Sequence, residues 1–578
     1  MASTIFKVTA VAAIVAQVLS KSDFTGIANV SVEDLEKDFL EELANSTSAS
    51  SATKSRILTL ESTLRQTFTV VPKGGDGTIS QSVVRYVLHR FFVKKHGWFI
   101  RGLEPGSDTI KAESNVRSNS QEWIPSYLLN FLEHTIAGRG VNLRELAVLA
   151  ATMEDLVRRE ELGHLHKAYS TLWLEEEEPL SSEESFSVLE TYMMIYLLGG
   201  NFTISSPSKA HRLLELFGKK VSSWDKTVLW LQRIHKKYSS VAQTFDATSK
   251  MVAEIGERYG IFNDDECSRM KTELMKMESQ KPGRVRLVDF YKRSLLGPWE
   301  FNEKMDYLRA AGLLDESDPK TPLVILPNYV ASRPNCLLSS SFYAVCCRNQ
   351  CEDLMDTLER EIGGPNARPS QISKIVSKLA TDTIQAPRTL SKSLMRRLQE
   401  VAERNYGQVP LHGRLFAQWM HHAFPRECPY PNEAGTAAPL TPDEWMQKTG
   451  HEDSKASKEE MMSMISSDNC RLVANGVDCG GMRVQQGTEK DDGDLPWDSK
   501  EELLIIHQEQ PRFSNPSLRR GVALNPMRDL VVLISFLSIS WLVSVVFFGK
   551  KSKICWTMLS CKSMSFSSAV AKAERCCV

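Results

Sequence analysis

Three histidines and a cysteine stand close together in the stretch VPLHGRLFAQWMHHAFPRECPYP, residues 409–431. Imidazole and thiolate are common zinc ligands, and histidine also serves as a general acid or base. A site here would use His412, His421 or His422 with ligands from elsewhere in the chain. On one helix, however, His412 and His421 lie about 180° apart, and His421 and His422 diverge by about 100°. The three histidines therefore cannot share one ion, and we name them only as candidate ligands.

The same stretch also has the pattern of a helix that ends at a proline. A helix from His412 to Phe424 has one apolar stripe, formed by Leu415, Phe416, Trp419, Met420 and Ala423, and a polar side with Arg414, Gln418 and His421. Pro410 suits the start of this helix and Pro425 its end. The two further prolines keep the segment after the helix, a strap that runs to residue 431, extended. In this interpretation Cys428 fastens the strap through a disulfide.

The cysteines favour disulfides over a metal. Eight of the twelve precede the apolar C-terminal segment, namely Cys267, Cys336, Cys346, Cys347, Cys351, Cys428, Cys470 and Cys479. No C-x-x-C pair occurs among them, which argues against a zinc ribbon or a thioredoxin-like motif. An even number can pair completely in an oxidising compartment. We expect Cys428 to bond to one of the four cysteines between residues 336 and 351, and Cys470 and Cys479 to be able to close a small loop.

Two stretches, residues 72–83 and 278–289, resemble the loop of an EF-hand. Gly77 and Gly283 stand at the sharp turn, and Ile79 and Val285 at the inward aliphatic position. The ligand positions are Pro72, Gly74, Asp76 and Val83 in the first loop, and Glu278, Gln280, Pro282 and Asp289 in the second. Calcium needs six to eight oxygens, usually with a bidentate Glu at the end of the loop. The sequence therefore predicts degenerate EF-hand-like helix-loop-helix units without the ion.

Composition and motifs exclude several function classes. The chain has 70 basic and 71 acidic residues among 578, so no net charge attracts it to nucleic acid. It contains no P-loop, no G-x-G-x-x-G, no G-x-S-x-G and no H-E-x-x-H. We therefore expect no cofactor and no nucleic-acid partner, and the sequence identifies no catalytic residues.

The N-terminus has the pattern of a signal peptide, residues 1–20. One basic residue, Lys7, precedes a mostly apolar run that ends at Leu19 and the small Ser20. A signal peptide would deliver the following chain to an oxidising compartment. Asn29, Asn45 and Asn201 begin N-x-S/T sequons and are candidate glycosylation sites there.

A transmembrane helix is predicted at residues 530–549. The segment LVVLISFLSISWLVSVVFF, which begins at Leu530, runs for 19 residues without a charge, enough to span a bilayer's hydrocarbon core. Lys550 and Lys551 follow at once, which favours a cytosolic tail, residues 550–578. Cys555 and Cys561 in this tail are candidate acylation sites.

Between the two ends the periodicity is mainly helical. The predicted domains are a disordered leader (21–55), a helical domain with EF-hand-like units (56–310), a Cys-rich helical module (311–431) and a disordered stalk (432–529). In LRELAVLAATMEDLVRREEL, Leu143, Leu146, Ala150, Met153 and Val157 form one apolar stripe, with Ala147 beside it. The fold class expected is mainly α.

Several blocks resemble a recurring set in large, uncharacterised predicted proteins of single-celled algae such as dinoflagellates. The blocks are VVRYVLHRFFVKKHGWFIRGLEP, VAEIGERYG, GRVRLVDFY, DESDPKTPLVILPNYV, SSSFYAVCCRNQCEDLM and PLHGRLFAQWMHHAFPRECPYP, within roughly residues 55 to 431. The resemblance implies one ancestral helical module. It implies no activity, cofactor or catalytic residue.

These observations predict a single-pass type I membrane protein with a binding or structural ectodomain that engages the membrane through one span and a protein partner through its ectodomain. Two alternatives remain open at this point. One is a lumenal metal-assisted enzyme that uses His412, His421 or His422. The other is a tail-anchored cytosolic regulatory protein with EF-hand-like units.

Overall fold

The computed structural model describes residues 51–103, 140–199, 204, 206–221, 223–278, 281–338, 342–437, 440–467, 470–473, 476–479 and 496–503. All of them belong to the first of two compact units, Met1–His507. The second unit, Gln508–Val578, lies outside the described residues, and so does the predicted span at 530–549. None of the described helices is long and apolar enough to cross a membrane.

The described part of the chain is mainly helical, as the sequence predicts. Seven helices occupy its described residues up to 276: α1 (Ser51–Val70), α2 (Gln81–His96), α3 (Leu143–Leu172), α4 (Ser182–Leu197), α5 (Pro207–Lys220), α6 (Trp224–Lys237) and α7 (Phe245–Lys276). The predicted stripe of α3 is buried at Leu146, Ala150, Met153 and Val157. Asn142 begins α3 through a reciprocal capping box with Glu145.

Nine shorter helices follow in the described ranges. They are α8 (Leu287–Leu296), α9 (Met305–Ala310), α10 (Leu326–Val330), α11 (Cys351–Ile362), α12 (Pro369–Val376), α13 (Lys392–Arg404), α14 (Arg414–Ala423), α15 (Pro442–Thr449) and α16 (Lys458–Ser467). Prolines at the first turn of α10, α12 and α15 are compatible with these helices, because an N–H at that position has no partner within a helix.

The strands are short and antiparallel. They are β1 (Trp98–Ile100), β2 (Arg284–Arg286), β3 (Leu314–Asp315), β4 (Leu323–Ile325), β5 (Leu337–Leu338), β6 (Tyr343–Val345), β7 (Asn366–Ala367), β8 (Val409–Pro410), β9 (Cys470–Val473) and β10 (Gly476–Cys479). Two three-stranded sheets have the orders β1-β6-β5 and β2-β4-β3, and β7/β8 and β9/β10 form pairs. In the second sheet Val285 is opposite Val324.

Buried apolar side chains form three large clusters. The first contains residues of α1 to α6 and the N-terminal half of α7, with Val345 of β6. The second contains the C-terminal half of α7 with α8, α10 and α16, and the third is built from α11 to α14. The 32-residue helix α7 thus contributes to two clusters: Ile255 to the first and Met270 to the second.

The second cluster contains residues from both sides of the predicted domain boundary between residues 310 and 311. Phe290 precedes this boundary and Tyr329 follows it, and their rings are 5.1 Å apart. The leader boundary also differs, because α1 begins at Ser51 and not after residue 55.

The predicted disordered stalk, 432–529, begins too early. Helices α15 and α16 lie within it, and each has buried apolar side chains: Trp445 packs on Tyr307, while Met461 and Ile465 join the second cluster. Residues 496–503 lie against α14, where Arg414 Nη1 donates to Lys500 O at 2.9 Å. The region is mostly polar in composition, but a few buried apolar side chains fix it to the folded part.

Helix α14 differs from its prediction in two respects. It begins at Arg414, because Pro410 belongs to the β7/β8 pair. Its predicted apolar stripe is buried, but the side expected to face water is buried too, including Gln418 and His421. Residues 496–503 contact Arg414 on that face, whereas Arg284 and Cys428 contact His421.

Candidate functional site

His412 belongs to a buried charge cluster. Its Nε2–H donates to Glu359 Oε1 at 2.9 Å, and Glu359 also pairs with Arg90 of α2. Arg90 contacts Glu352 as well, and Asp356 at 2.9 Å. Burial opposes the charge of Glu359, but the hydrogen bond from His412 and the charge of Arg90 hold the pKa of this carboxyl below its usual value. The cluster joins α2 to α11, so His412 has a fixed structural partner.

His421 and His422 have different partners. His421 donates from Nδ1 to Cys428 O at 2.6 Å and accepts at Nε2 from Arg284 Nη1 at 2.9 Å. Burial and the neighbouring Arg284 lower the pKa of His421 to about 3, so the ring is neutral. His422 donates from Nε2 to Pro496 O at 2.9 Å, and burial lowers its pKa to about 4.

The structure therefore does not bring the three candidate histidines into one site. In the described ranges, no three or more His, Cys, Asp and Glu residues are grouped so that they could hold a metal ion. A metal-assisted reaction at His412, His421 or His422 finds no ligand set there.

Six cysteines form three disulfides. The pairs are Cys267–Cys347, Cys336–Cys346 and Cys351–Cys428. Disulfide bonding is thus supported, and Cys428 pairs with one of its four expected partners. Cys470 and Cys479 are opposite each other in the backbone register of β9 and β10.

The remaining candidates lie outside the described residues. They are the sequon residues Asn29, Asn45 and Asn201 and the tail cysteines Cys555 and Cys561. The predicted signal peptide, 1–20, and the predicted basic tail, 550–578, lie outside them as well.

The first loop, residues 72–83, connects α1 to α2 and is closed by its own hydrogen bonds. Gly77 has φ +80°, and Asp76 Oδ1 accepts from Thr78 N at 3.0 Å and from Thr78 Oγ1 at 2.7 Å. The last position, Val83, is fully buried. An aliphatic side chain cannot serve as a bidentate ligand, so the loop lacks the oxygen that calcium uses there.

The second loop, residues 278–289, connects α7 to α8. Glu278 Oε1 accepts from Gly283 N at 2.9 Å, and Gly283 has φ +72°. At the other end Asp289 pairs with Arg286 at 2.7 Å and with Lys292 at 3.4 Å. Both carboxylates of this loop are therefore engaged by groups of the protein itself.

Each loop is bridged to a second segment that the sequence did not identify. Ile79 and Val141 exchange two backbone hydrogen bonds, at 3.0 and 2.9 Å, and Val285 is opposite Val324. All four residues stand two positions before the start of a helix, namely α2, α3, α8 and α10. Neither partner segment has a glycine at the turn position, two residues before its aliphatic residue, so the pattern used to find the loops did not detect it.

A cleft lies beside α7 and α10. Its charged lining is paired internally: Lys271 Nζ lies 2.5 Å from Gln350 Oε1 and 3.3 Å from Glu427 Oε1. Thr383 Oγ1 donates to the same Glu427 oxygen at 2.6 Å. Through these contacts the buried Glu427, which follows α14, joins α7 to the segment between α12 and α13.

Comparisons with protein families, with curated proteins and with solved structures find no match to this chain.

Proposed function

We propose that this chain is a single-pass type I membrane protein whose disulfide-bonded, mainly helical part acts by binding a protein partner or as a structural element, without catalysis. The observation that carries the proposal is the set of three disulfides, Cys267–Cys347, Cys336–Cys346 and Cys351–Cys428. Disulfides form and persist mainly in oxidising compartments. They support a lumenal or extracellular place for this part, which the predicted signal peptide and the span at 530–549 would provide.

We further propose that the helical part contains two pairs of EF-hand-like units. In such pairs, short segments of two neighbouring loops bridge to each other just before the exit helices. The bridges Ile79–Val141 and Val285–Val324, each two residues before a helix, support this arrangement. Only one loop of each proposed pair has the glycine turn of the EF-hand pattern in its sequence.

The proposed units would work without calcium. In the first loop the last ligand position is the buried Val83, and in the second the carboxylates of Glu278 and Asp289 are paired with basic side chains. A pair of loops that binds no ion cannot report calcium levels. This supports a scaffold or a binding surface rather than a calcium sensor.

The topology is tested on full-length protein in sealed microsomes, whose cytosolic face is outside. We expect a glycosidase to reduce the apparent mass only after the vesicles are opened. We also expect a membrane-impermeant maleimide to label the tail without detergent, and the Cys555→Ser/Cys561→Ser variant to lose part of that signal.

The cytosolic alternative gives the opposite result. A tail-anchored protein would carry no glycan, and its tail cysteines would be labelled only after the vesicles are opened. Either finding would refute the proposed topology.

A further inference from the structure

Residues 425–431, here called the strap, follow α14 and lie against the second pair of loops. The strap begins with a turn in which Cys428 N donates to Phe424 O at 2.9 Å. It is fastened by the disulfide between Cys428 and Cys351 and by the hydrogen bond from His421 to Cys428 O. The disulfide therefore holds the strap in place independently of the loops that the strap touches.

Arg426 of the strap binds the first position of the loop 278–289. Its Nε lies 3.0 and 2.9 Å from the two carboxylate oxygens of Glu278, and its Nη2 lies 2.5 Å from Oε2. The Glu278 side chain is only 7% exposed. The same carboxylate accepts from Gly283 N, so one acidic group joins the guanidinium to the turn of the loop.

The other end of the strap binds the partner segment. Asn328 Nδ2 donates to Tyr430 O at 2.9 Å, and Tyr430 N donates to Asn328 Oδ1 at 2.7 Å. Asn328 stands four residues after Val324, as Asp289 does after Val285. The strap thus engages the first position of one loop and the position equivalent to the last in its partner.

We propose that the strap holds the second pair of loops closed at the positions where calcium-binding EF-hands use metal ions, with the Arg426 guanidinium as the cation. The proposal rests on the EF-hand-like pairing proposed above. A planar guanidinium can satisfy both oxygens of a carboxylate at once, and it supplies positive charge to a group that burial would otherwise destabilise. The loop is therefore closed by a permanent internal cation and does not respond to calcium.

Hydrogen exchange on the full-length protein, read on a peptide that covers residues 278–289, tests this proposal. We expect Arg426→Gln to accelerate exchange in the loop by about tenfold or more, because a buried carboxylate loses its charged partner. Arg426→Lys should have a smaller effect, since lysine keeps the charge but not the bidentate geometry. Millimolar calcium should leave the exchange of the wild-type loop unchanged.

The matched control is Arg309→Gln. Arg309 also binds a glutamate with two nitrogens, Glu316 at 2.8 and 2.9 Å, but it touches neither the strap nor Glu278. Exchange of the loop in this variant should equal that of the wild type.

Unchanged loop exchange in Arg426→Gln would overturn the proposal. If that variant also loses the protection of α4, the Glu278→Gln variant, which keeps the guanidinium, replaces it and should accelerate loop exchange as well. Mapping the cysteines in the same sample reports separately on the proposed location, since free thiols would contradict the location and leave the exchange result intact.

Discussion

Gly283 is the residue on which the contact between loop and strap depends most closely. Its φ of +72° lies in the left-handed region, and a Cβ there would stand 2.0 Å from Pro425 O. Gly363 ends α11 with nearly the same φ, +70°, but a Cβ there would meet nothing within 4 Å. Comparing a substitution at each of the two glycines therefore separates the cost of backbone strain from the cost of displacing the strap.

We expect Gly363→Ala to reduce the free energy of unfolding by about 1 to 2 kcal/mol, the cost of a left-handed alanine. Gly283→Ala should cost that amount plus about 1 to 3 kcal/mol for displacing the strap. Chemical denaturation of both variants measures the difference. Equal losses would show that the strap does not press on the loop.

A second glycine makes room for a buried acid. A Cβ on Gly256 of α7 would stand 1.6 Å from Glu161 Oε1, and burial raises the pKa of Glu161 well above its usual value. Gly256→Ala should therefore destabilise the protein by about 1 to 3 kcal/mol through overpacking. The control is Gly163→Ala in α3, where a Cβ meets nothing within 4 Å and alanine should stabilise the helix by up to about 1 kcal/mol. Thermal unfolding that ranks the two variants in the reverse order would contradict this packing.

His421 predicts a dependence of stability on pH. Burial lowers its folded pKa to about 3, below the unfolded value of about 6.5, so the unfolded chain binds a proton first. The contribution of His421 to the free energy of unfolding is fully present above the unfolded pKa and is lost as the pH falls from there towards 3. Between pH 7 and pH 5 this loss is about 2 kcal/mol.

The His421→Gln variant should therefore lose about 2 kcal/mol less stability than the wild type between pH 7 and pH 5. Glutamine offers both a donor and an acceptor but does not titrate. The comparison between variants is needed because Glu303, whose pKa burial raises to about 7, contributes a slope of opposite sign. If the free energy of unfolding changes with pH by the same amount in both proteins, His421 is not a buried neutral group.

At the scale of elements, the disulfide that fastens the strap should matter more than a short-range one. Cys351 and Cys428 are separated by 77 residues and Cys336 and Cys346 by 10. On the chain-entropy model, losing the first bridge costs about 4 kcal/mol and losing the second about 3 kcal/mol. Non-reducing denaturation of the two double Cys→Ser variants should show the larger loss for Cys351→Ser/Cys428→Ser. The reverse ranking would mean that the strap contributes little.

Local patterns predicted the elements but not what covers them. The apolar stripe of α14 follows from a 3.6-residue period, and Trp419 and Met420 are buried as expected. The burial of His421 was not predictable, because its ring contacts Arg284, 137 residues away, and the carbonyl of Cys428 beyond the end of the helix. The contact between Arg426 and Glu278 spans 148 residues and has no local signal.

The loops show the same limit. The turns at Gly77 and Gly283 could be predicted, because only glycine adopts positive φ easily. The partner segments at Val141 and Val324 were missed because they have neither that glycine nor a full set of acids. Backbone pairing between distant segments is a long-range property. The structure shows that Ile79, Val141, Val285 and Val324 all stand two positions before a helix, which makes them equivalent.

At the scale of the whole molecule, covalent and ionic links join elements that are distant in sequence. The Cys267–Cys347 disulfide joins α7 to the segment before α11, and the Arg90 cluster joins α2 to α11. Such cross-links suit the proposed scaffold better than a protein that opens on binding an ion. The redox state of the six cysteines is the property that decides between an oxidising and a reducing compartment for this part of the chain.

Non-reducing peptide mapping tests that property most directly. The full-length protein is alkylated in native membranes, digested and analysed for linked peptides. We expect the pairs Cys267–Cys347, Cys336–Cys346 and Cys351–Cys428, with no alkylation at these six positions. Six alkylated thiols would place this part of the chain in a reducing compartment and contradict the proposed function.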